Sequence, residues 1–202
     1  DDEQQYEDTA YGNEEIGPHT DGTYFEATPG IQVFHCLKPA TKGGGETILV
    51  DGFAVAEQIR SQNVADFDLL TTAPIEHHYV EGGSSPSNAK IYSCCSNKPV
   101  IEIDHEGMLK QIRYNPYDRA PMRITSTDDI IRFYKAYERL SKLVNDTKNQ
   151  LEISLKPGNV IFIDNFRVLH ARKAFQTFDV CKCDLEKLET EPEELSIRSL
   201  FI

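Results

Sequence analysis

Apolar positions along the chain come in short runs, and their spacing predicts many strands around one long helix. Residues 30–37 (Gly-Ile-Gln-Val-Phe-His-Cys-Leu) and 46–50 (Glu-Thr-Ile-Leu-Val) are rich in β-branched and aromatic residues, the composition of half-buried strands. Lys42 to Gly45 reads as a turn between them, and Asp51-Gly52 ends the second ahead of a short helix from Phe53 to Arg60. Two further strands, Lys98 to Ile103 and Met108 to Tyr114, flank the hairpin turn Asp104-His105-Glu106-Gly107. The clearest helix starts at Ser126 or Thr127 as N-cap, with Asp128 and Asp129 in its first turn. Behind that cap, Ile130, Phe133, Tyr134, Tyr137, Leu140 and Val144 recur at helical spacing. Lys156 to Asn159 is a turn, and Val160 to Ile163 an almost continuous apolar strand. The pattern predicts a mainly β fold with flanking helices, a β-sandwich or jelly-roll type of barrel.

The two ends are polar. Residues 1–17 read as an acidic entry loop. From Asp184 to Glu194 six acids stand against one lysine, with Pro192 among them, the composition of a weakly ordered tail. Length and pattern fit one domain over 1–178 followed by a divergent acidic C-terminal tail over 179–202. The absence of an initiator Met makes an N-terminally incomplete piece of a longer protein the expectation.

Charge narrows the function classes. A net charge of −12 speaks against a nucleic-acid or anionic-membrane surface, because a phosphate footprint needs clustered Lys and Arg. No run approaches the roughly 18 apolar residues of a membrane helix, and residues Asp1 to Gln5 do not read as a signal or transit peptide. The five cysteines include Cys94-Cys95 and Cys181-Lys-Cys183, neither with the two-residue gap of a zinc knuckle or a redox motif. Free thiols in a reducing compartment are the expectation.

The candidate chemistry begins at Pro18-His19-Thr20-Asp21-Gly22. In extended backbone, His19 and Asp21 face one side and Thr20 the other, so an imidazole and a carboxylate can take two adjacent positions on a metal. A non-haem Fe(II) site with three open positions needs one more histidine. Taken alone, a His-x-Asp is weak, since an exposed histidine near a turn looks the same. Among the other histidines, His105 falls in the hairpin turn. His77 and His78 are neighbours in a polar strand and point to opposite faces. His35 sits inside a strand, where a half-buried structural histidine is the bland reading. His170 differs: it follows the strand ending at Ile163 and is crowded by polar residues from Asp164 to Arg172 that can orient an imidazole.

Several blocks carry a resemblance. His19 to Phe25, Gly30 to Lys38, Thr47 to Phe53, Ile112 to Asn115, Tyr117 to Ala120, Phe162 to Asn165 and Arg167 to His170 resemble, in order, the trimethyllysine and γ-butyrobetaine dioxygenase family of the taurine dioxygenase-like superfamily. The likeness runs from about Asp8 to Phe175, and His-Thr-Asp-Gly-Thr-Tyr-Phe favours the trimethyllysine branch. It implies a double-stranded β-helix (jelly-roll) core, with Fe(II) on His19, Asp21 and His170. It also implies 2-oxoglutarate as co-substrate, ascorbate as reductant, and hydroxylation of N6-trimethyllysine at carbon 3 in carnitine biosynthesis. A mitochondrial matrix location and a homodimer of the full-length form belong to the same expectation.

The resemblance extends to further residues. Thr47 matches a position that helps hold the far carboxylate of 2-oxoglutarate. Tyr11 matches an aromatic that packs on the trimethylammonium group, which cannot donate hydrogen bonds and so suits an aromatic face. Asn115, Asp118 and Arg119 form the substrate-side polar cluster, with Arg119 or Asn115 on the substrate carboxylate and Asp118 on its ammonium. A solvent-facing Asp118–Arg119 ion pair is the structural alternative. The sequence also departs from the pattern. The arginine expected shortly after the last iron-binding histidine is missing from Phe175 to Lys182; Lys182 offers a point charge for the co-substrate without the bidentate fork, Arg172 belongs to the family's own His-x-Arg pattern there, and Asp184 replaces an expected tyrosine. Two competing readings follow: a catalytically impaired relative that keeps the metal but lacks that arginine, and a hydrolase or isomerase using the same three ligands to activate water.

Overall fold

A computed structural model describes residues 12–40, 42–80, 92–123, 126–176 and 196–201. The elements run β1 (Ile16–His19), β2 (Ile31–Lys38), β3 (Thr47–Asp51), α1 (Gly52–Gln62), α2 (Val64–Thr72), β4 (Ile75–Val80), β5 (Tyr92–Lys98), β6 (Ile101–Ile103) and β7 (Leu109–Ile112). Then come α3 (Thr127–Val144), a short 3-10 turn (Thr147–Asn149), β8 (Gln150–Ile153), β9 (Val160–Asp164), β10 (Val168–Arg172) and β11 (Ser196–Phe201). Among the described residues strand outweighs helix, so the mainly β expectation holds.

Among the described residues the strands do not close into a barrel. An antiparallel sheet of order β1-β10-β3-β8 and another of order β11-β2-β9 stand beside two hairpins, β4-β5 and β6-β7. The chain crosses between the two larger sheets at Asn165-Phe166-Arg167, where Arg167 N–H turns back to the Asp164 carbonyl at 3.1 Å. The sheets meet at Phe34 of β2, whose ring stands edge-on to His170 of β10 at 5.0 Å. Ser196–Phe201 pairs along β2, a strand in the stretch the acidic composition had assigned to a tail.

The helices fold for local reasons. Asp51 caps α1, its carboxylate accepting from the Phe53 and Ala54 amides. Gly52 is required there: a Cβ would stand 2.6 Å from the Arg167 carbonyl, which accepts the Gly52 N–H at 2.8 Å. Asn63 ends α1 and caps α2 on the Asp66 amide, so the two helices follow without a loop. Ser126 caps α3 as expected. Its buried stripe is Phe133, Ala136, Leu140 and Val144; Tyr134, expected inside, lies at the edge of that stripe and is 46% exposed, with the Arg119 guanidinium over its ring. Phe133, Leu140, Ile59, Leu70, Val50 and Leu169 share one core, which ties all three helices to the back of the four-stranded sheet. Each such side chain contributes roughly 1.5–3 kcal/mol by burial, so the sheet that carries the site rests on a firm support. No helix among the described residues is long and apolar enough to cross a membrane.

Candidate metal centre

The pairing of β1 with β10 sets His19 directly opposite His170. Between Ile16 and His19 the β1 side runs one residue longer than its partner, an irregularity of the kind that re-aims a side chain near a site. Asp21 follows in the loop. Its Oδ1 lies 3.3 Å from His19 Nε2 and its Oδ2 lies 3.2 Å from His170 Nε2, with the two imidazole centroids 4.4 Å apart. Those separations are close to the roughly 3 Å between neighbouring positions of an ion with ligand bonds of about 2.1 Å. This trio is the cluster of metal-ligating type found among the described residues, its ligand atoms all within 4.8 Å of one another.

The alternation expected from the sequence holds. Thr20 points away and is fully buried: its Oγ1 accepts from the Tyr114 amide at 3.1 Å and donates to the Ile112 carbonyl at 3.2 Å. The loop then turns sharply at Gly22, φ +67°, where a Cβ would press on Pro29 Cδ at 2.7 Å. Asn165, with no exposed surface, accepts the Asp21 N–H at 2.9 Å and donates to the Asp21 and Pro29 carbonyls at 2.9 and 2.8 Å.

Electrostatics prepare the donors. Burial alone would raise the Asp21 carboxyl, but hydrogen bonds from His170 and His19 and their charge hold it far below the usual carboxylate range. Burial pulls the His170 imidazole down and the His19 charge adds to that, outweighing Asp21. For His19 burial also pulls down, yet Asp21, the Gly17 carbonyl and the Asp118 charge together win and raise it. His19 Nδ1 donates to the Gly17 carbonyl at 2.8 Å, which leaves Nε2 facing the centre. An anionic carboxylate with two imidazole nitrogens is a donor set suited to ferrous iron with open positions.

The other sequence candidates separate into groups. Thr47 is buried at the start of β3 and is the cross-strand partner of Arg172, on the same strand face as His170. The Arg172 guanidinium donates to the Gly12 and Glu14 carbonyls at 2.6 and 2.9 Å. Asn115 and Asp118 sit in the turn after β7, joined by a 2.6 Å bond from Asn115 Nδ2, close enough for Asp118 to act on His19. Arg119 does not join them: its guanidinium lies over Tyr137, Tyr134 and Phe133 of α3 at 4.8, 5.2 and 5.6 Å, and it donates to Tyr134 Oη. Tyr11, Lys182, Cys181, Cys183 and Asp184 lie outside the described residues. His35, His77, His78 and His105 take no part in the cluster. Sequence reasoning missed Tyr117 and the role of Asn165. The second was signalled by the polar residues around His170, but its partner Asp21 is 144 residues away.

Residues 1–180 match the model of the taurine catabolism dioxygenase TauD, TfdA family. The mitochondrial trimethyllysine dioxygenases of Gallus gallus and Homo sapiens are 42% and 41% identical over 182 residues, 89% of this chain and 42% of each relative. The gamma-butyrobetaine dioxygenase of Homo sapiens is 28% identical over 167 residues, 83% of this chain and 42% of the relative. The chain thus spans about two fifths of the length of these relatives. Among solved structures, asparagine oxygenase in complex with Fe(II), 3-hydroxyasparagine and succinate superposes with a TM-score of 0.66 at 15% identity, over 98% of this chain and 53% of the other. The non-heme iron oxygenase OrfP with Fe and alpha-ketoglutaric acid gives 0.57 at 20%, over 82% and 46%.

Proposed function

The chain belongs to the taurine catabolism dioxygenase TauD, TfdA family, and from that premise we propose that it is the catalytic part of an Fe(II)- and 2-oxoglutarate-dependent dioxygenase that hydroxylates N6-trimethyllysine at carbon 3, a step of carnitine biosynthesis. The observation that carries the proposal is the convergence of His19, Asp21 and His170 on one point. Bound ferrous iron would supply oxygen activation: one oxygen atom enters the substrate C–H bond, and the other accompanies conversion of 2-oxoglutarate to succinate and carbon dioxide.

The chain's own residues do the rest. His19, Asp21 and His170 hold the ion, while ascorbate is the reductant that keeps it ferrous. Thr47 and Arg172, paired across β3 and β10, offer a hydroxyl and a cation on the His170 face for the far carboxylate of 2-oxoglutarate. Lys182 is the further cation proposed for that group. Asp118 takes the substrate's α-ammonium; Asn115, whose Nδ2 is committed to Asp118 and the Thr20 carbonyl, and Arg119, committed to the α3 rings, are withdrawn from the substrate carboxylate. Tyr11 offers an aromatic face to the trimethylammonium head. The higher identity to trimethyllysine dioxygenases than to the butyrobetaine enzyme supports the substrate choice, and the names of the Gallus gallus and Homo sapiens trimethyllysine dioxygenases support a mitochondrial setting.

Succinate formation tests this reading. With Fe(II), 2-oxoglutarate, ascorbate and oxygen, the chain is expected to release succinate faster with N6-trimethyllysine than with γ-butyrobetaine. An arginine introduced into the segment from Phe175 to Lys182 should raise the rate at low 2-oxoglutarate. Equal release with neither substrate added overturns the substrate assignment, and turnover without oxygen overturns the oxygenase.

A further inference from the structure

The turn after β7 makes two ties to the strand that carries His19. Tyr117 Oη accepts the Gly17 N–H at 2.8 Å, and Asn115 Nδ2 donates to the Thr20 carbonyl at 3.3 Å, so the ties flank His19 on either side. The turn itself is closed by Asn115, whose Oδ1 accepts the Tyr117 and Asp118 amides at 3.0 and 3.3 Å. The Tyr117 ring stands edge-on to the His19 ring, centroids 5.9 Å apart and planes at 84°. Gly17 is the shared residue. Its N–H goes to Tyr117 and its carbonyl takes the His19 Nδ1 hydrogen at 2.8 Å.

We infer that residues 115–118 form a clamp over His19, with Tyr117 as a positioning residue that fixes the rotamer and the Nδ1 hydrogen bond of that ligand. Tyr117 is 52% exposed, so core packing does not explain why its ring and hydroxyl are both engaged. Holding Gly17 through its N–H keeps its carbonyl aimed at Nδ1, and with Nδ1 bonded there Nε2 is the nitrogen that faces Asp21 and His170. The ring edge blocks rotation of the imidazole away from them. The inference rests on the metal reading above for its consequence, but the clamp itself is a property of the metal-free chain.

The test uses the full chain and the variants Tyr117→Phe and Tyr117→Ala, with two readouts. Nitrogen-15 NMR of histidine-labelled, metal-free protein reads the His19 Nδ1 proton, and Co(II) titration followed by visible absorption reads ligand geometry and affinity. Wild type should show a hydrogen-bonded, slowly exchanging proton on His19 Nδ1. Tyr117→Ala should lose that protection and bind Co(II) some 10–100-fold more weakly, the range expected when a ligand's outer support is removed. Tyr117→Phe, which keeps the ring edge, should fall between them. Urea midpoints should stay near wild type in both, separating positioning from folding. A wild-type chain that binds no Co(II) would defeat the metal reading, and the Nδ1 proton comparison would still decide the clamp. Unchanged His19 signals in Tyr117→Ala overturn the clamp.

Discussion

Asn165 and Asp21 hold each other by two hydrogen bonds of opposite sense: the Asp21 amide donates to Asn165 Oδ1 at 2.9 Å, and Asn165 Nδ2 donates back to the Asp21 carbonyl at 2.9 Å. The Asp21 carboxylate is thus held through its own backbone, by a residue at the crossing between the two sheets. Replacing Asn165 with aspartate keeps the shape but turns the amide donor into an acceptor facing the Asp21 and Pro29 carbonyls. The expected outcome for Asn165→Asp is a loss of about 3 kcal/mol at neutral pH, because a buried group loses its partners and gains charge. Metal affinity should drop 10–100-fold. Urea unfolding and Co(II) titration measure the two effects.

Thr20 tests the alternation that aims the ligands. Its hydroxyl serves the Tyr114 amide and the Ile112 carbonyl in a fully buried position. Thr20→Val preserves volume and removes both bonds, and should cost about 1–3 kcal/mol. Thr20→Ser, which keeps the hydroxyl, should cost less than the valine variant. Equal urea midpoints for Thr20→Val and wild type would mean that the hydroxyl anchors nothing.

The part of the fold that was legible in the sequence is the part where local chemistry and tertiary packing agree. β2, β3, β9, the hairpin at Asp104–Gly107 and the Ser126 cap of α3 each combine a periodic run with a clear stop signal. Other elements had no such agreement. β1 contains Gly17 and Pro18, which read as loop, and it exists because β10 pairs with it. β8 exposes Leu151 and Glu152 along a polar edge. α2 begins one residue after α1 ends and buries only Phe67 and Leu70, so no gap marks it. At the site, His19 and Asp21 were visible because two residues in extended backbone share a face. His170 stood out by its polar neighbours. Tyr117 was invisible, since its tie to Gly17 spans 100 residues. Arg119 was misplaced for a similar reason: the sequence sets it beside Asp118, whereas the rings that hold it lie on α3.

His77 gives the pH dependence its sign. Burial, then the charges of Arg119, Arg113 and His78, push its imidazole down from 6.5 to about 4. The unfolded chain takes up this proton first as pH falls, so the native state is penalised progressively from pH 6.5 to about 4 and not above 7. The full penalty is about 3 kcal/mol. His77→Phe removes the titrating group, so its urea midpoint should decline less than that of wild type between pH 7 and 4.5. Parallel declines would place the acid sensitivity elsewhere.

The most direct measurement of the whole account is an anaerobic titration of Fe(II) into the chain with 2-oxoglutarate present, followed by visible absorption, in wild type and in His170→Ala. Wild type should develop the weak charge-transfer band of an iron-bound 2-oxo acid and saturate at one ion per chain, and His170→Ala should show none at the same concentrations. An equal band in the two proteins, or none in wild type, would contradict a site built from His19, Asp21 and His170.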